Sequence, residues 1–168
     1  LVARALIDQP DLDSARRFLH AIRHASGINY MLADMNNVED YECSTDQVRR
    51  LLPATPDARL AHTNHPMVSD DLLDLAKVSD DTRLYQRLSN EHSAHRMGCL
   101  QQAFLQERGP VTVERIKQVL SSHEPPEFPI CRHLPADPDP MRGMTNNSLV
   151  MVLDRPPELH LTSGPPCM

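Results

Sequence analysis

Proline placement is the strongest constraint on what this chain can fold into. Most of its 15 prolines fall in two tracts, Pro125–Pro140 and Pro156–Pro166. Proline fixes φ and donates no backbone hydrogen bond, so both tracts must be largely irregular. Regular structure is pushed into the residues before Pro125 and into the short interval between the tracts. With only 5 glycines in the chain, P-loop and dinucleotide-binding readings are effectively excluded.

Before the first tract the patterning changes twice. Leu1 to Ile7 reads as a short apolar helix ended near Pro10. Asp11 or Asp13 can cap the next helix, whose Leu12, Ala15, Phe18, Leu19 and Ile22 recur at helical spacing until Gly27 breaks it. Ile28–Ala33 and Val38–Cys43, joined by the turn residues Asp34-Met35-Asn36-Asn37, read as a β-hairpin. Val48–Leu52 and Arg59–Asn64 are candidate third and fourth strands, stopped by Pro53 and Pro66. Helices return afterwards: Ser89 or Asn90 can cap one reaching about Gln106, and Thr112 another with Val113, Ile116 and Leu120 on one face.

Leu149–Leu153 is a continuous apolar run too short for a helix, so it reads as a strand buried on both faces. The alternating segment Glu158–Thr162 is its expected partner across the turn at Asp154–Pro157. This order of helices, strands, helices and strands predicts an α+β fold, with antiparallel sheets flanked by helices. A length of 168 residues suits one domain with a real core.

A net charge of −6 without a basic cluster argues against nucleic acid as a partner. No apolar run approaches the roughly 20 residues of a membrane span, so no membrane association is expected. Cys43, Cys99, Cys131 and Cys167 are widely spaced with no CxxC. They read as free thiols of a reducing, cytoplasmic compartment. The opening Leu-Val-Ala-Arg-Ala-Leu-Ile is a helix without a capping residue, which suggests a chain cut from something longer.

Four segments can carry chemistry. His62-Thr63-Asn64-His65-Pro66 ends a candidate strand, where an Asn amide can face a developing oxyanion. Alternatively, Thr63 and Asn64 satisfy turn backbone groups. Ser44, after Tyr41-Glu42-Cys43, is either a site hydroxyl or a turn residue, and Cys43 reads as a small buried hydrophobe. In His92-Ser93-Ala94-His95-Arg96, His92, His95 and Arg96 share a helix face with Leu88, Cys99 and Ala103. His62, His65, His92 and His95 would together make a zinc site, though no complete zinc signature is present. Phe128-Pro129-Ile130-Cys131-Arg132-His133 suits a structural loop or an anion contact through Arg132.

In their order these segments resemble the acyl-CoA:6-aminopenicillanate acyltransferase-like family of N-terminal-nucleophile hydrolases. The resemblance spans nearly the whole chain. It runs through Glu42-Cys43-Ser44, His62-Thr63-Asn64-His65, His95-Arg96-Met97, Ile130-Cys131-Arg132, the apolar strand ending at Asp154, and Gly164-Pro165-Pro166-Cys167. The resemblance implies an αββα sandwich and a precursor that cuts its own backbone to free an N-terminal Cys. That Cys would attack an amide or thioester with its own α-amino group as base, and pass the acyl group to water or an amine.

By the same resemblance Asn64 is the oxyanion donor and Ser44 a site hydroxyl. His62 and Thr63, beside Asn64, are expected on the substrate side. The family's Ser-Arg pair has its nearest counterpart in Met141-Arg142-Gly143, slightly out of register and with Met in place of Ser, which makes Arg142 a substrate-binding candidate. No cofactor and no metal are implied. The nucleophile belongs upstream of this chain. The expected partners are therefore the N-terminal portion of the same precursor and a small-molecule acyl substrate, and the chain alone is expected to be inactive. Strands split between two portions predict stability only with the other portion or by homo-oligomerisation. The alternative reading is a non-catalytic binding or structural fragment of the same fold.

Overall fold

Two short helices lead the chain. α1 (Val2–Ile7) is followed by α2 (Leu12–Ala21), whose cap is Asp11: the carboxylate accepts from the Ser14 N–H at 2.7 Å. Of the expected apolar line on α2, Ala15 and Leu19 are buried, and the backbone turns extended at Ile22, before Gly27. Three strands follow, β1 (Ile28–Ala33), β2 (Val38–Cys43) and β3 (Val48–Leu51), in the antiparallel order β1-β2-β3.

Short polar side chains make both connections. The Asp34 carboxylate accepts from the N–H groups of Asn36 and Asn37, each at 2.8 Å. At the second turn the Ser44 N–H donates to the Gln47 carbonyl at 2.8 Å, and the Ser44 hydroxyl accepts from the Gln47 N–H at 3.1 Å.

In this computed structural model, which describes residues 1–53, 55, 59–71, 77–105, 109–133 and 143–168, the chain divides into two units, Leu1–Val78 and Ser79–Met168. In the first, β2 is central and every residue after Val38 is buried. Directly opposed residues share a face, so the register sorts its side chains. Glu39, Tyr41 and Cys43 face one side with Tyr30, Leu32 and Val48, and Asp40 and Glu42 face the other. On the first side Leu19, Tyr41 and Cys43 form the core, joined by Val2 and Leu6 of α1.

Glu39 is tied into that side by three donors: Arg16 of α2 at 3.3 Å, Arg50 of β3 at 3.0 Å, and the Tyr41 hydroxyl at 2.7 Å. Burial, reinforced by the bond to Glu39, pushes the Tyr41 phenol up to about 12.

The expected fourth strand is not one. Residues 59–64 join no ladder, and the segment instead meets the polar face of β2 through the His62 side chain on Glu42. The backbone donors that reach this buried carboxylate come from Met67, Val68 and Ser69, just beyond the segment.

The second unit begins with Ser79, whose hydroxyl accepts from the Thr82 N–H at 3.2 Å and caps α3 (Asp80–Leu100). This start precedes the expected Ser89 or Asn90. Asp80 and Asp81 in the first turn complement the helix dipole. Asn90 lies within the helix, accepting from Gln86 one turn back at 2.9 Å. α3 runs into a π-helical turn, Gln101–Leu105. Its buried residues are Ser93 and Met97, one step around from the expected His92, His95 and Arg96 line.

Thr112 caps α4 (Val113–Leu120) as expected, accepting from Arg115 N–H at 3.1 Å, and Val119 is its buried residue. β4 (Leu149–Val152) and β5 (Glu158–Leu161) pair antiparallel, as the alternating segment predicts. The expectation that the apolar strand is buried on both faces is not met. Only Val150 is buried. Leu149 and Met151, opposite Leu161 and Leu159, are 50%, 61%, 63% and 63% exposed and form one apolar face. Among the described residues, α4 packs against β4, and Val150 is the residue of that strand that is buried. Among the described residues, no helix is long and apolar enough to cross a membrane.

Candidate functional site

The polar face of β2 organises the candidate site. Glu42 is buried, and both of its oxygens receive donors. His62 Nε2 lies 2.8 Å from Oε1, and the Met67 N–H donates to the same oxygen. The Val68 N–H lies 3.2 Å from Oε1 and 3.1 Å from Oε2, and the Ser69 N–H donates to Oε2 at 2.7 Å. Burial alone would raise this carboxyl, but the hydrogen bonds from His62, Met67, Ser69 and Val68 overcome it and bring it down to about 2. One carboxylate thus holds both ends of the arch from His62 to Ser69. The other His62 ring nitrogen, Nδ1, contacts the Thr63 carbonyl. Both ring nitrogens therefore face oxygen atoms.

Asn64 lies between the two anchored ends, at a bend, and is exposed. Beside it the Thr63 hydroxyl lies 3.1 Å from His65 Nδ1. The support expected from a strand end comes instead from the clamp on Glu42. Ser44 follows β2 directly. Its hydroxyl contacts the Asp71 carboxylate as well as its own turn. The turn and site readings of Ser44 are therefore compatible, since one hydroxyl accepts from Gln47 and donates to Asp71. Ser44 and His62 each join the end of β2 to the segment 59–71, Ser44 through Asp71 and His62 through Glu42, while Thr63 contacts His65 within that segment. Arg142 lies outside the described residues.

Asp40 shares the Glu42 face and is fully buried. Burial pushes its carboxyl up, partly offset by the Asn29 amide and the positive charge of His62. Its Oδ2 has no hydrogen-bond partner among the described residues. Asp40, Asp71 and the clamping role of Glu42 were not singled out from the sequence. The signal was present: acidic residues alternate with Tyr41 and Cys43 on a candidate strand flanked by a candidate strand on each side in sequence, which places them on one face of an interior strand.

Cys43 is buried in the core, and burial pushes its thiol up to about 11, consistent with an inert packing residue. Of the expected zinc set, His62 and His65 belong to the first unit and His92 and His95 to the second. His62 is held by Glu42, while His92 and His95 pack on Phe128 with ring centroids 4.8 Å and 3.8 Å away. A different group has convergent ligand atoms: His123, Cys131, His133 and Cys167.

Comparison of the chain with family models, with curated proteins and with solved structures finds no match.

Proposed function

We propose that this chain is the C-terminal portion of a self-processing cysteine amidohydrolase or acyltransferase, similar to the 6-aminopenicillanate acyltransferase-like enzymes. The observation that supports the reading best is the Glu42 clamp, which holds the histidine–threonine–asparagine–histidine segment by both ends and presents Asn64 between them. An oxyanion donor must be pre-positioned, because a donor that reorganises during the reaction gives up most of its benefit.

In this reading a Cys thiol supplied by polypeptide outside the chain attacks an amide or thioester carbonyl. The carbonyl oxygen becomes an oxyanion and accepts a hydrogen bond from the Asn64 side-chain amide. Collapse expels the amine or thiol and leaves an acyl-enzyme, which water or an amine then resolves. His62 positions Asn64 through Glu42, Ser44 and Asp71 brace the end of β2, and Thr63 and Arg142 contact substrate.

The test is Asn64→Ala in the complete precursor, assayed on amide and thioester substrates. Turnover should fall by about 100-fold or more, with self-processing read separately from the masses of the two fragments. Unchanged turnover in a folded, processed protein would remove Asn64 from the site.

A further inference from the structure

The second unit gathers two cysteines and two histidines that neither the sequence spacing nor the proposed chemistry uses. Cys131 Sγ lies 3.5 Å from Cys167 Sγ and 3.9 Å from His133 Nε2. His133 Nε2 lies 3.1 Å from Cys167 Sγ and 3.1 Å from His123 Nε2. All four ligand atoms fall within 4.8 Å of one another. A tetrahedral zinc ion with usual bond lengths separates its ligands by about 3.8 Å for two sulfurs, about 3.4 Å for two nitrogens and about 3.6 Å for a mixed pair. The spacings here scatter around those edges.

Hydrogen bonding does not account for the convergence. A ring nitrogen carries one in-plane proton or one lone pair. His133 Nε2 nevertheless faces His123 Nε2 and two sulfurs at once. Three partners aimed at one nitrogen, from atoms that also approach each other, describe the corners of a coordination polyhedron.

The backbone fixes these corners independently of the side chains. The Cys131 N–H donates to the Ser122 carbonyl at 2.9 Å, just beyond α4. Arg132 and Thr145 bond reciprocally, through Arg132 N–H to the Thr145 hydroxyl at 3.0 Å and Thr145 N–H to the Arg132 carbonyl at 2.9 Å. After β5, Thr162 bonds the Gly164 carbonyl at 2.7 Å, and the Met168 N–H donates to the Pro165 carbonyl at 3.1 Å. Cys131 is fully buried whereas His123, His133 and Cys167 are exposed, so the group sits at the surface on one buried anchor.

We infer that His123, Cys131, His133 and Cys167 form a four-ligand site for zinc. Four protein ligands leave no open position, which makes the site structural rather than catalytic. Binding displaces the thiol protons of Cys131 and Cys167 to solvent and leaves thiolates on the metal. The ion cross-links the segment after α4, the proline-rich loop and the segment after β5, tying positions 36 residues apart through the two sulfurs. Closing such a loop restricts the unfolded chain more than the folded one. The site supplies a role for two motifs that acyl transfer leaves unused, Ile130-Cys131-Arg132 and Gly164-Pro165-Pro166-Cys167.

The test uses the full 168-residue chain, kept reduced and titrated with zinc alone. Elemental analysis after dialysis should give about one zinc per chain, as a closed four-ligand site requires. Cobalt in its place should give the visible bands of a tetrahedral thiolate complex. Cys167→Ser, at an exposed position, should weaken zinc by more than the roughly 10- to 100-fold that loss of an outer contact costs. Cys99→Ser should bind like the parent chain. Zinc absent after titration of reduced protein would overturn the assignment, as would full affinity in Cys167→Ser or octahedral cobalt. None of these readouts depends on acyl-transfer activity.

Discussion

Glu42 and Asp40 occupy alternate positions of one strand and face the same side, yet burial leaves their protons held in opposite ways. Glu42 has four donors across its two oxygens, so the anion is favoured despite burial. Asp40 has one oxygen without a partner among the described residues, so burial wins and its carboxyl is raised. The linkage follows from these directions. Glu42 is lowered from 4.5 to about 2, so its contribution is complete above the unfolded value and is lost as pH falls through the folded one. The size is about 3 kcal/mol from the usual 1.36 kcal/mol per pKa unit. Urea unfolding followed from pH 6 down to pH 2 should show stability declining across that window. In Glu42→Gln the decline should shrink and stability at pH 6 should drop by about 2 kcal/mol. An amide must turn its NH₂ toward one of the two donor sets, whichever way it is placed. A parent and a variant with parallel pH profiles would show that Glu42 is not the responsible group.

At the scale of elements, Glu39 is the joint between α2 and the sheet. Arg16 reaches it from the helix, Arg50 from β3 and Tyr41 from its own strand. Glu39→Ala should cost about 2 kcal/mol in denaturant unfolding, because the buried Tyr41 hydroxyl loses its acceptor while both arginines remain partly solvated. Glu39→Gln, which keeps an acceptor, should cost less. Equal losses for the two would place the effect in the carboxylate's charge, and so in its pairs with Arg16 and Arg50.

Elements of this kind were legible where local chemistry decides them. Asp11 and Thr112 cap the expected helices, Asp34 makes the hairpin turn, and Val48 begins the third strand. The errors lie where a second signal, local or tertiary, overrides the first local pattern. Arg59–Asn64 has strand-like composition, but it joins no ladder and His62 within it is held by Glu42 from β2. Ser89 and Asn90 look like caps, but Ser79 with Asp80 and Asp81 starts α3 earlier. The Cys/His group was invisible for a related reason. Its members come from three segments, one following β5, and only the fold sets their distances. Of the site, the Asn64 and Ser44 segments were legible from their motifs, whereas the clamp that supports them depends on the burial of Glu42.

For the molecule as a whole, the β4–β5 ribbon carries the consequence of the apolar run at Leu149–Leu153. Its register aligns Leu149 with Leu161 and Met151 with Leu159, so four large apolar side chains share one exposed face. Scattered exposed apolar residues are ordinary, but a contiguous set on a sheet face favours burial against another surface. In the proposed enzyme that surface belongs to the portion carrying the nucleophile. Without it the ribbon should associate with a second copy. Sedimentation velocity on the isolated chain at micromolar concentration should therefore show self-association that increases with loading. Met151→Lys combined with Leu159→Glu should shift the population toward monomer. The pair puts opposite charges directly across the two strands, which preserves the ribbon while removing its apolar centre. Co-expression with the upstream portion of the precursor should give a one-to-one complex of the parent chain and a weakened one of the double variant. A parent chain that remains monomeric at every loading and does not bind that portion would mean the ribbon face needs no cover.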